Sequence, residues 1–167
     1  VKNKVNSEPE KALKYARLQL QIVEIDTQIA RAHLNIGLAL DYQSRFDEAI
    51  VSYTKSLRLY DEIGDDFWQG QALLNLGIVN YLKEDYDAAV EDYHNALMKF
   101  DKLGDKSRMS AIYNNLGNLH KERKSFSKAL MYHEKSLEID LERKDSIGIA
   151  GSYNNWGIDY RGGKSAR

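Results

Sequence analysis

Apolar residues recur along the chain with the spacing of helices that bury one face. Between residues 72 and 100 they fall at intervals of three and four, interrupted once by the polar run Lys83-Glu84-Asp85. The apolar positions are Ala72, Leu73, Leu76 and Val79, then Tyr86, Ala89, Val90, Tyr93, Leu97 and Phe100. Gly104 follows and suits a left-handed helix end, while Asp105 can cap the next helix. The segment therefore predicts two amphipathic helices joined by a tight turn.

The same pattern returns every 40 residues, marked by a glycine and by an asparagine two positions before it. These pairs are Asn35 with Gly37, Asn75 with Gly77, Asn115 with Gly117, and Asn155 with Gly157. Other positions of the 40-residue repeat, which we call columns, also keep their residue type. One column holds Ala49, Ala89 and Ala129, and the column three residues before it holds Phe46, Tyr86 and Phe126. Such a register predicts a repeat protein whose helix pairs bury a shared core between neighbours. We expect Gly77 and Ala89 to let the two helices of a unit approach closely.

These columns resemble the tetratricopeptide repeat. The family pattern of a large residue, Leu-Gly, an aromatic residue and small residues on the second helix is carried by Leu73, Leu76-Gly77, Tyr86, Ala89, Tyr93 and Ala96, and again by Tyr113, Leu116-Gly117, Phe126, Ala129 and Ser136. The family's usual closing proline is missing, and the unit is longer than the roughly 34 residues of the common repeat. The resemblance covers about residues 10 to 161. It implies an all-α fold, a right-handed α-α superhelix of antiparallel helix pairs with a concave groove.

The register divides a single array over residues 1–167. We expect a lone second helix at 9–26, complete helix pairs at 27–64, 66–104 and 106–144, and a lone first helix at 146–161. Half-units at both ends favour a piece of a longer chain. Tyr153 and Trp156 on the last helix are expected to be partly exposed or covered by a second copy, so a homodimer through the unpaired terminal helices is one expected partnership.

Composition removes several classes of function. The 24 Lys and Arg residues balance 25 Asp and Glu residues, so no net charge favours direct binding to nucleic acid. The absence of cysteine excludes disulfides, zinc-thiolate sites and a cysteine nucleophile. No apolar run approaches the roughly 20 residues that span a bilayer, so we expect no membrane insertion.

Charge is nonetheless uneven along the chain. Residues 61–105 hold 11 acids and 3 bases, whereas residues 106–144 hold 9 bases and 5 acids. One interpretation is that these are solvated helix faces; the other is a polarised surface that orients a charged partner.

No catalytic or metal-binding constellation emerges from the residues. The four histidines form no His-Glu-x-x-His pair or other metal spacing, and His33 and His133 fall in packing columns. Residues 157–165 approach a phosphate-binding loop, but an extra glycine precedes Lys164 and a helix rather than a strand comes before it. Ser110 and Ser152 lack the glycines of a nucleophile elbow. We therefore expect no enzyme, no cofactor and no metal.

The resemblance places partner binding in the groove lined by the first helix of each pair. The family's groove positions lie three residues before the repeat glycine, two before it, one after it and four after it. In this chain these four positions hold, in that order, Leu34, Leu74, Asn114, Asn154; Asn35, Asn75, Asn115, Asn155; Leu38, Ile78, Asn118, Ile158; and Asp41, Tyr81, Lys121, Arg161. This predicts a groove that is apolar toward its N-terminal half, and amide-rich and basic toward its C-terminal half. The candidate partner-binding residues are Asn35, Asn75, Asn115, Asn155, Asn114, Asn154, Asn118, Tyr81, Lys121 and Asp41.

The four-asparagine column allows two interpretations. An amide both donates and accepts, so a ladder of amides can hold the backbone of an extended peptide. The column is similar to the asparagine ladder in the superhelix of the O-linked N-acetylglucosamine transferases. A carboxylate clamp like that of chaperone-binding relatives needs cations at two further columns, and only Arg31 fits loosely. Alternatively, the asparagines bond to neighbouring helices and only fix their stacking.

The function that we expect is a non-catalytic module that binds a protein or peptide. The unit is similar to arrays fused to bacterial sensor kinases, cyclases and transcription regulators, and to Pins-type adaptors, which implies a sensory or scaffolding arm of a larger protein. The alternatives are a peptide-responsive regulator and a structural oligomerisation arm. We expect the cytoplasm, with the periplasm as the alternative.

Overall fold

A computed structural model describes the backbone of residues 8–165 and the side chains at 15, 18 and 21–157. Within that range the chain forms seven helices and no strand, which confirms the all-α repeat architecture. The helices are α1 (Glu8–Tyr42), α2 (Phe46–Ile63), α3 (Asp66–Leu82), α4 (Tyr86–Leu103), α5 (Lys106–Glu122), α6 (Phe126–Glu142) and α7 (Ser146–Ser165). Each helix packs against its neighbours in chain order, and α3 also touches α5. None of these helices combines the length and the apolar character needed to cross a membrane.

Short turns separate the helices, and each contains a residue in the left-handed conformation. Gly64 and Gly104 have φ angles of 79° and 67° at the turns that follow α2 and α4. Elsewhere the same region is occupied by residues other than glycine: Ser44, Glu84, Lys124 and Lys144. The next helix is then capped by an aspartate in several turns. Asp65, for example, accepts hydrogen bonds from the backbone N–H groups of Phe67 and Trp68, both at 3.1 Å.

The prediction of a separate helix at 9–26 is wrong, because α1 runs without a break from Glu8 to Tyr42. In the 40-residue register, Gly64 and the capping Asp65 of the α2–α3 turn correspond to Glu24 and Ile25 of α1. Lys144 shows that the left-handed position can be filled without glycine, but Asp145 follows it and caps the next helix, whereas Ile25 has no side-chain acceptor for a cap. This stretch of α1 therefore lacks both the glycine and the capping aspartate. Thr27 donates its hydroxyl to the Val23 carbonyl at 2.8 Å, a bond within the helix rather than a cap.

The repeat glycines allow an aromatic ring to lie against the backbone of the paired helix. A Cβ atom at Gly77 would lie 2.6 Å from Cδ1 of Tyr93, and one at Gly37 would lie 2.5 Å from Cδ1 of Tyr53. His133 takes the place of the tyrosine opposite Gly117 and is fully buried. The predicted close approach is therefore real, but the group that the glycine accommodates is a ring 16 residues later along the chain.

A buried polar cluster replaces the apolar core between α5, α6 and α7. Asp140 is 3% exposed and occupies the column that Tyr60 and Phe100 fill in the earlier units. Ser110 donates to its Oδ1 at 2.6 Å, and Ser152 donates to its Oδ2 at 3.1 Å. The carboxylate thus accepts from two hydroxyl groups of two different helices and pairs with Arg143 Nη1 at 3.6 Å, so it is both hydrogen-bonded and paired with a charge, as a buried carboxylate requires.

Ion pairs tie the two helices of a unit at their open ends. Asp66 at the start of α3 pairs with Lys102 at the end of α4, and with Lys99 at 2.9 Å. One unit later, Lys106 pairs with Glu142 in the same two columns with the charges exchanged. Single exposed pairs of this kind contribute little to stability on their own.

Candidate partner-binding groove

The candidate groove residues all lie on the first helices of the units, as the register predicts. Successive first helices are joined side by side in the C-terminal part of the array. The guanidinium Nε of Arg108 on α5 donates to Gln71 Oε1 on α3 at 3.2 Å, and Asn155 on α7 donates to Asn114 on α5. The candidates are distributed as Asn35 and Asp41 on α1, Asn75 and Tyr81 on α3, Asn114, Asn115, Asn118 and Lys121 on α5, and Asn154 and Asn155 on α7.

The four asparagines of the repeat column have four different environments. Asn35 is exposed, whereas Asn75 is 8% exposed and accepts a hydrogen bond from Nε2 of Gln71 at 3.2 Å. Asn155 donates its Nδ2 to Oδ1 of Asn114 at 2.7 Å. Asn115 is partly exposed, and its side chain makes no hydrogen bond to the rest of the described chain. The column is therefore not a uniform row of open amides.

The difference between these asparagines follows from the residue 41 positions earlier in the sequence. Asn155 meets Asn114, an amide that can accept its proton. The equivalent residues for Asn75 and Asn115 are Leu34 and Leu74, which offer no side-chain polar atom. Of these three asparagines, only Asn155 can therefore form an amide–amide bond to the preceding first helix. This bond, to Asn114, fixes the stacking of α7 on α5.

The expectation that Leu34 and Leu74 face an open groove is wrong. Leu34 is 3% exposed and packs with Ala49 and Tyr53 of α2, while Leu74 is 8% exposed in the core cluster around Tyr93. The side chains of Leu34 and Leu74 lie in the junctions between units, because burial of a leucine side chain is more favourable than its exposure to water. The apolar part of the groove is consequently reduced to Leu38, which is 38% exposed, and Ile78, which is partly exposed.

Among the partly exposed polar residues of the neighbouring helices α3 and α5 are four of the candidates: Tyr81, Asn115, Asn118 and Lys121. Burial raises the pKa of the Tyr81 phenol, and the neighbouring Glu122 carboxylate and Tyr86 raise it further. The phenol therefore stays protonated and can donate a hydrogen bond. Asp41, on α1, also has a pKa raised by burial. We call Tyr81, Asn115, Asn118 and Lys121 the α3–α5 patch.

The side chains of Ile158 and Arg161 lie outside the described residues. Asn154 is exposed on α7. Nearby, Tyr153 is 54% exposed, whereas Trp156 is partly buried and donates its indole N–H to Glu134 on α6 at 3.2 Å. Of the aromatic side chains of α7 that the structure describes, Tyr153 is thus open to solvent and Trp156 is held against α6.

The sequence of residues 28–96 and 68–142 matches the tetratricopeptide repeat family profile, and together these segments span most of the chain. The chain belongs to the tetratricopeptide repeat family. Domains of this family are generally non-catalytic interaction modules. No curated protein matches the sequence of this tetratricopeptide repeat array at a significant level.

Several solved structures share the fold of this tetratricopeptide repeat array. BtubC (BKLC) from P. vanneervenii has a TM-score of 0.75 and 22% identity over 81% of this chain and 56% of its own. Aspartyl phosphate phosphatase F from Bacillus subtilis has a TM-score of 0.75 and 17% identity over 91% and 42%. The signal transduction ATPase PH0952 from Pyrococcus horikoshii, which has a tetratricopeptide repeat sensor, has a TM-score of 0.74 and 23% identity over 90% and 24%. The chain spans between about a quarter and just over half of their lengths.

The tetratricopeptide repeat array also has a concave feature that the sequence reasoning missed. A cleft of about 430 Å³ lies between the second helices α2 and α4, with the side chain of Leu73 from α3 in its lining. Met98 borders it and is 65% exposed. The family groove columns concern first helices only, so they could not reveal it; the exposed position of Met98 in an otherwise amphipathic helix was the available signal. Among the residues with described side chains, no three His, Cys, Asp or Glu residues come together in a way that could hold a metal ion.

Proposed function

We propose that this tetratricopeptide repeat array is a non-catalytic module that binds a protein segment or peptide at the α3–α5 patch. The observation that carries the proposal is the free amide of Asn115. It lies partly exposed on α5 and has no side-chain hydrogen bond to the described chain, whereas Asn75 and Asn155 in the same column are bonded to other amides. A surface amide without an internal partner can bind a ligand without breaking an existing bond.

The chemistry of the patch suits the backbone of an extended peptide. The amides of Asn115 and Asn118 each offer two donor protons and an acceptor oxygen, and Tyr81 adds a hydroxyl group and an aromatic face. Lys121 supplies one positive charge beside them, which favours a segment that carries an acidic residue or a carboxylate. The N-terminal groove offers mainly Leu38 and Ile78, so an apolar side chain of the same peptide fits there.

The wider role that we propose is a sensory or scaffolding arm of a larger signalling or regulatory protein. The family membership supports an interaction function, and one of the similar folds serves as the repeat sensor of a signal transduction ATPase. A peptide-responsive regulator is the second candidate. The two differ in ligand size, since a short peptide of about five residues saturates a regulator, whereas a scaffold needs a longer segment to reach full affinity.

The test is a selection of unstructured peptides from a display library against the array, followed by calorimetric titration. We expect the double change Asn115→Ala with Asn118→Ala to weaken a selected peptide at least tenfold, while the circular dichroism spectrum stays unchanged. The matched control is Asn95→Ala, an asparagine that lines the α2–α4 cleft. Equal affinity for the double variant, or loss of affinity in the control, would show that the binding surface lies elsewhere.

A further inference from the structure

α1 carries a long apolar stripe that no other described part of the chain covers. Its exposed members are Tyr15, Leu18, Ile22, Ile25, Ile29 and Ile36, with the exposed Ala32 completing the series. The residues follow one another at alternating intervals of three and four, the heptad period of helices that wind around each other. The exposed fraction of the large side chains runs from 43% at Ile29 to 63% at Tyr15. The stripe extends for about 31 Å at 1.5 Å per residue.

The C-terminal half of the stripe lies in columns that are buried in the next unit. Ile29, Ala32 and Ile36 occupy the columns that Gln69, Ala72 and Leu76 fill on α3. On α3 these positions are buried. Gln69 donates to the Tyr60 carbonyl of α2 at 3.0 Å, and Ala72 and Leu76 pack in one cluster with Ala49 and Tyr53 of α2. On α1 the equivalent positions are exposed, and no other described helix covers them.

The N-terminal members of the stripe lie outside the columns through which the second helices of the array pack. In the 40-residue register, Tyr15, Leu18 and Ile22 correspond to residues of α2 that are charged and exposed, namely Lys55, Arg58 and Glu62. Apolar residues on α1 therefore stand where the next unit exposes charge to water, which is typical of a surface that contacts another chain. A rigid helix places its own two halves end to end, so they cannot pack on each other.

We propose that two copies of the chain pair in an antiparallel arrangement along this stripe. The N-terminal half of each α1 then lies against the C-terminal half of the partner's α1, so that the stripe is covered along its whole length. The proposal does not depend on what the groove binds.

The sizes of the side chains fit a two-fold axis near Thr27. In that register Tyr15 faces Ala39 of the partner subunit, and Ile22 faces Ala32 of the partner subunit, so a large residue meets a small one. Leu18 then faces Ile36 of the partner subunit. A parallel pairing would instead place Ala32 against its own copy and leave a void between the helices.

The flanks of the stripe also accept an identical helix. One flank carries Gln21, Gln28 and Asn35, which are exposed and uncharged, and the other carries Asp26 and His33. Only one formal charge per chain therefore borders the stripe between Leu18 and Ile36, so like-charge repulsion is small. Because the same surface serves both copies, a two-fold axis closes the assembly at a dimer rather than a filament.

Disulfide trapping tests the direction of the pairing, since the natural chain contains no cysteine. We expect the single variants Leu18→Cys and Ile36→Cys to form a mixed disulfide when the two proteins are combined and oxidised, because facing residues bring their Cα atoms within bridging distance. Leu18→Cys alone is expected to give little disulfide. Efficient bridging of Leu18→Cys to itself would mean parallel helices and would overturn the proposal.

Sedimentation equilibrium tests the surface itself. The wild-type chain should be a dimer at about 100 µM. Ile22→Asp should raise the dissociation constant of the dimer roughly a hundredfold, because the substitution buries a charge in the interface. Met98→Asp is the matched control, because Met98 is also a large apolar residue that is at least half exposed, and it lies on α4 rather than on α1. A monomeric wild type, an Ile22→Asp dimer of unchanged stability, or a dimer broken by Met98→Asp would each refute this interface. Unfolding followed at Trp68 checks that Ile22→Asp leaves the array intact.

Discussion

The Nδ2 atom of Asn155 donates a hydrogen bond to Oδ1 of Asn114 at 2.7 Å and joins α7 directly to α5. The bond is possible because both columns hold an amide at this step, whereas the earlier steps place leucine at one of them. One member of the repeated asparagine column therefore supports helix stacking. Asn115, one unit earlier, makes no such bond. The two interpretations of the column thus apply to different residues.

Removing the Asn155–Asn114 bond should loosen α7 without affecting the α3–α5 patch. We expect Asn155→Ala and Asn114→Ala each to lower the free energy of unfolding of α7 by about 1 kcal/mol, the usual net value of one hydrogen bond. The double variant should cost little more than either single change. Trp156 fluorescence during urea unfolding, in a Trp68→Phe background, reports the docking of α7. Fully additive losses would mean that the two amides act independently.

The repeat glycines should tolerate alanine according to what lies opposite them. In Gly77→Ala the new Cβ would meet the buried Tyr93 ring at 2.6 Å, so we expect a net loss of about 1–2 kcal/mol from overpacking, after the gain in helix propensity. Gly151 lies on α7 with no atom within 4 Å of an added Cβ. Gly151→Ala should therefore stabilise the protein by roughly 0.5–1 kcal/mol. Thermal unfolding measures both, and equal effects of the two changes would contradict the packing assignment.

Asp92 should make the array less stable at high pH. Burial raises the pKa of its carboxyl to about 6, although the hydrogen bond from Asn80 at 2.7 Å acts in the opposite direction. Because the folded chain holds this proton more tightly than the unfolded chain, the stabilisation is complete below pH about 4 and is lost as the pH rises through about 6. Asp92→Asn should then exceed wild type by about 1 kcal/mol near pH 8, a value reduced for solvent screening, and match it near pH 4.

The control for Asp92 is Asp101→Asn, which changes an exposed carboxylate on the same helix. Its urea midpoint should follow that of wild type at both pH values. A constant difference between Asp92→Asn and wild type across the whole range would show that the effect is not linked to protonation of Asp92.

The polar cluster around Asp140 should be sensitive to loss of its carboxylate. Asp140→Ala leaves the hydroxyl groups of Ser110 and Ser152 without this acceptor, and we expect a loss of roughly 2–3 kcal/mol. Glu138→Ala, on an exposed position of the same helix, should change stability by less than about 0.5 kcal/mol. Hydrogen exchange should show the opening in α6 and α7 first. Protection lost first in α2 and α3 would contradict this assignment.

The helix pairs and their inner contacts could be predicted because they depend on local signals. The apolar spacing gives the helices, and Gly64 and Gly104 stop them. The continuous α1 depends on a stretch that lacks both the turn glycine and the capping aspartate of the later units, which is visible only when the turn is aligned residue by residue. The family register predicted a turn near residue 26, although the local sequence Glu24-Ile25-Asp26 already favoured a continuous helix.

The candidate site was harder to predict because exposure is a tertiary property. The column holding Leu34 and Leu74 is exposed only where its residues are polar, as at Asn154. The column itself does not determine whether a side chain turns into the junction or toward the solvent. The distribution of the asparagines among stacking and open environments likewise depends on the residue 41 positions earlier, which no single unit contains.

The exchanged charges of Asp66–Lys102 and Lys106–Glu142 have a consequence for how such similar units assemble. If α3 paired with α6 during folding, Asp66 would meet Glu142, and if α5 paired with α4, Lys106 would meet Lys102. Both mispaired hairpins would bring like charges together at the same corner. The two salt bridges contribute little to stability, but the exchange of their charges disfavours the pairing of a first helix with the second helix of another unit.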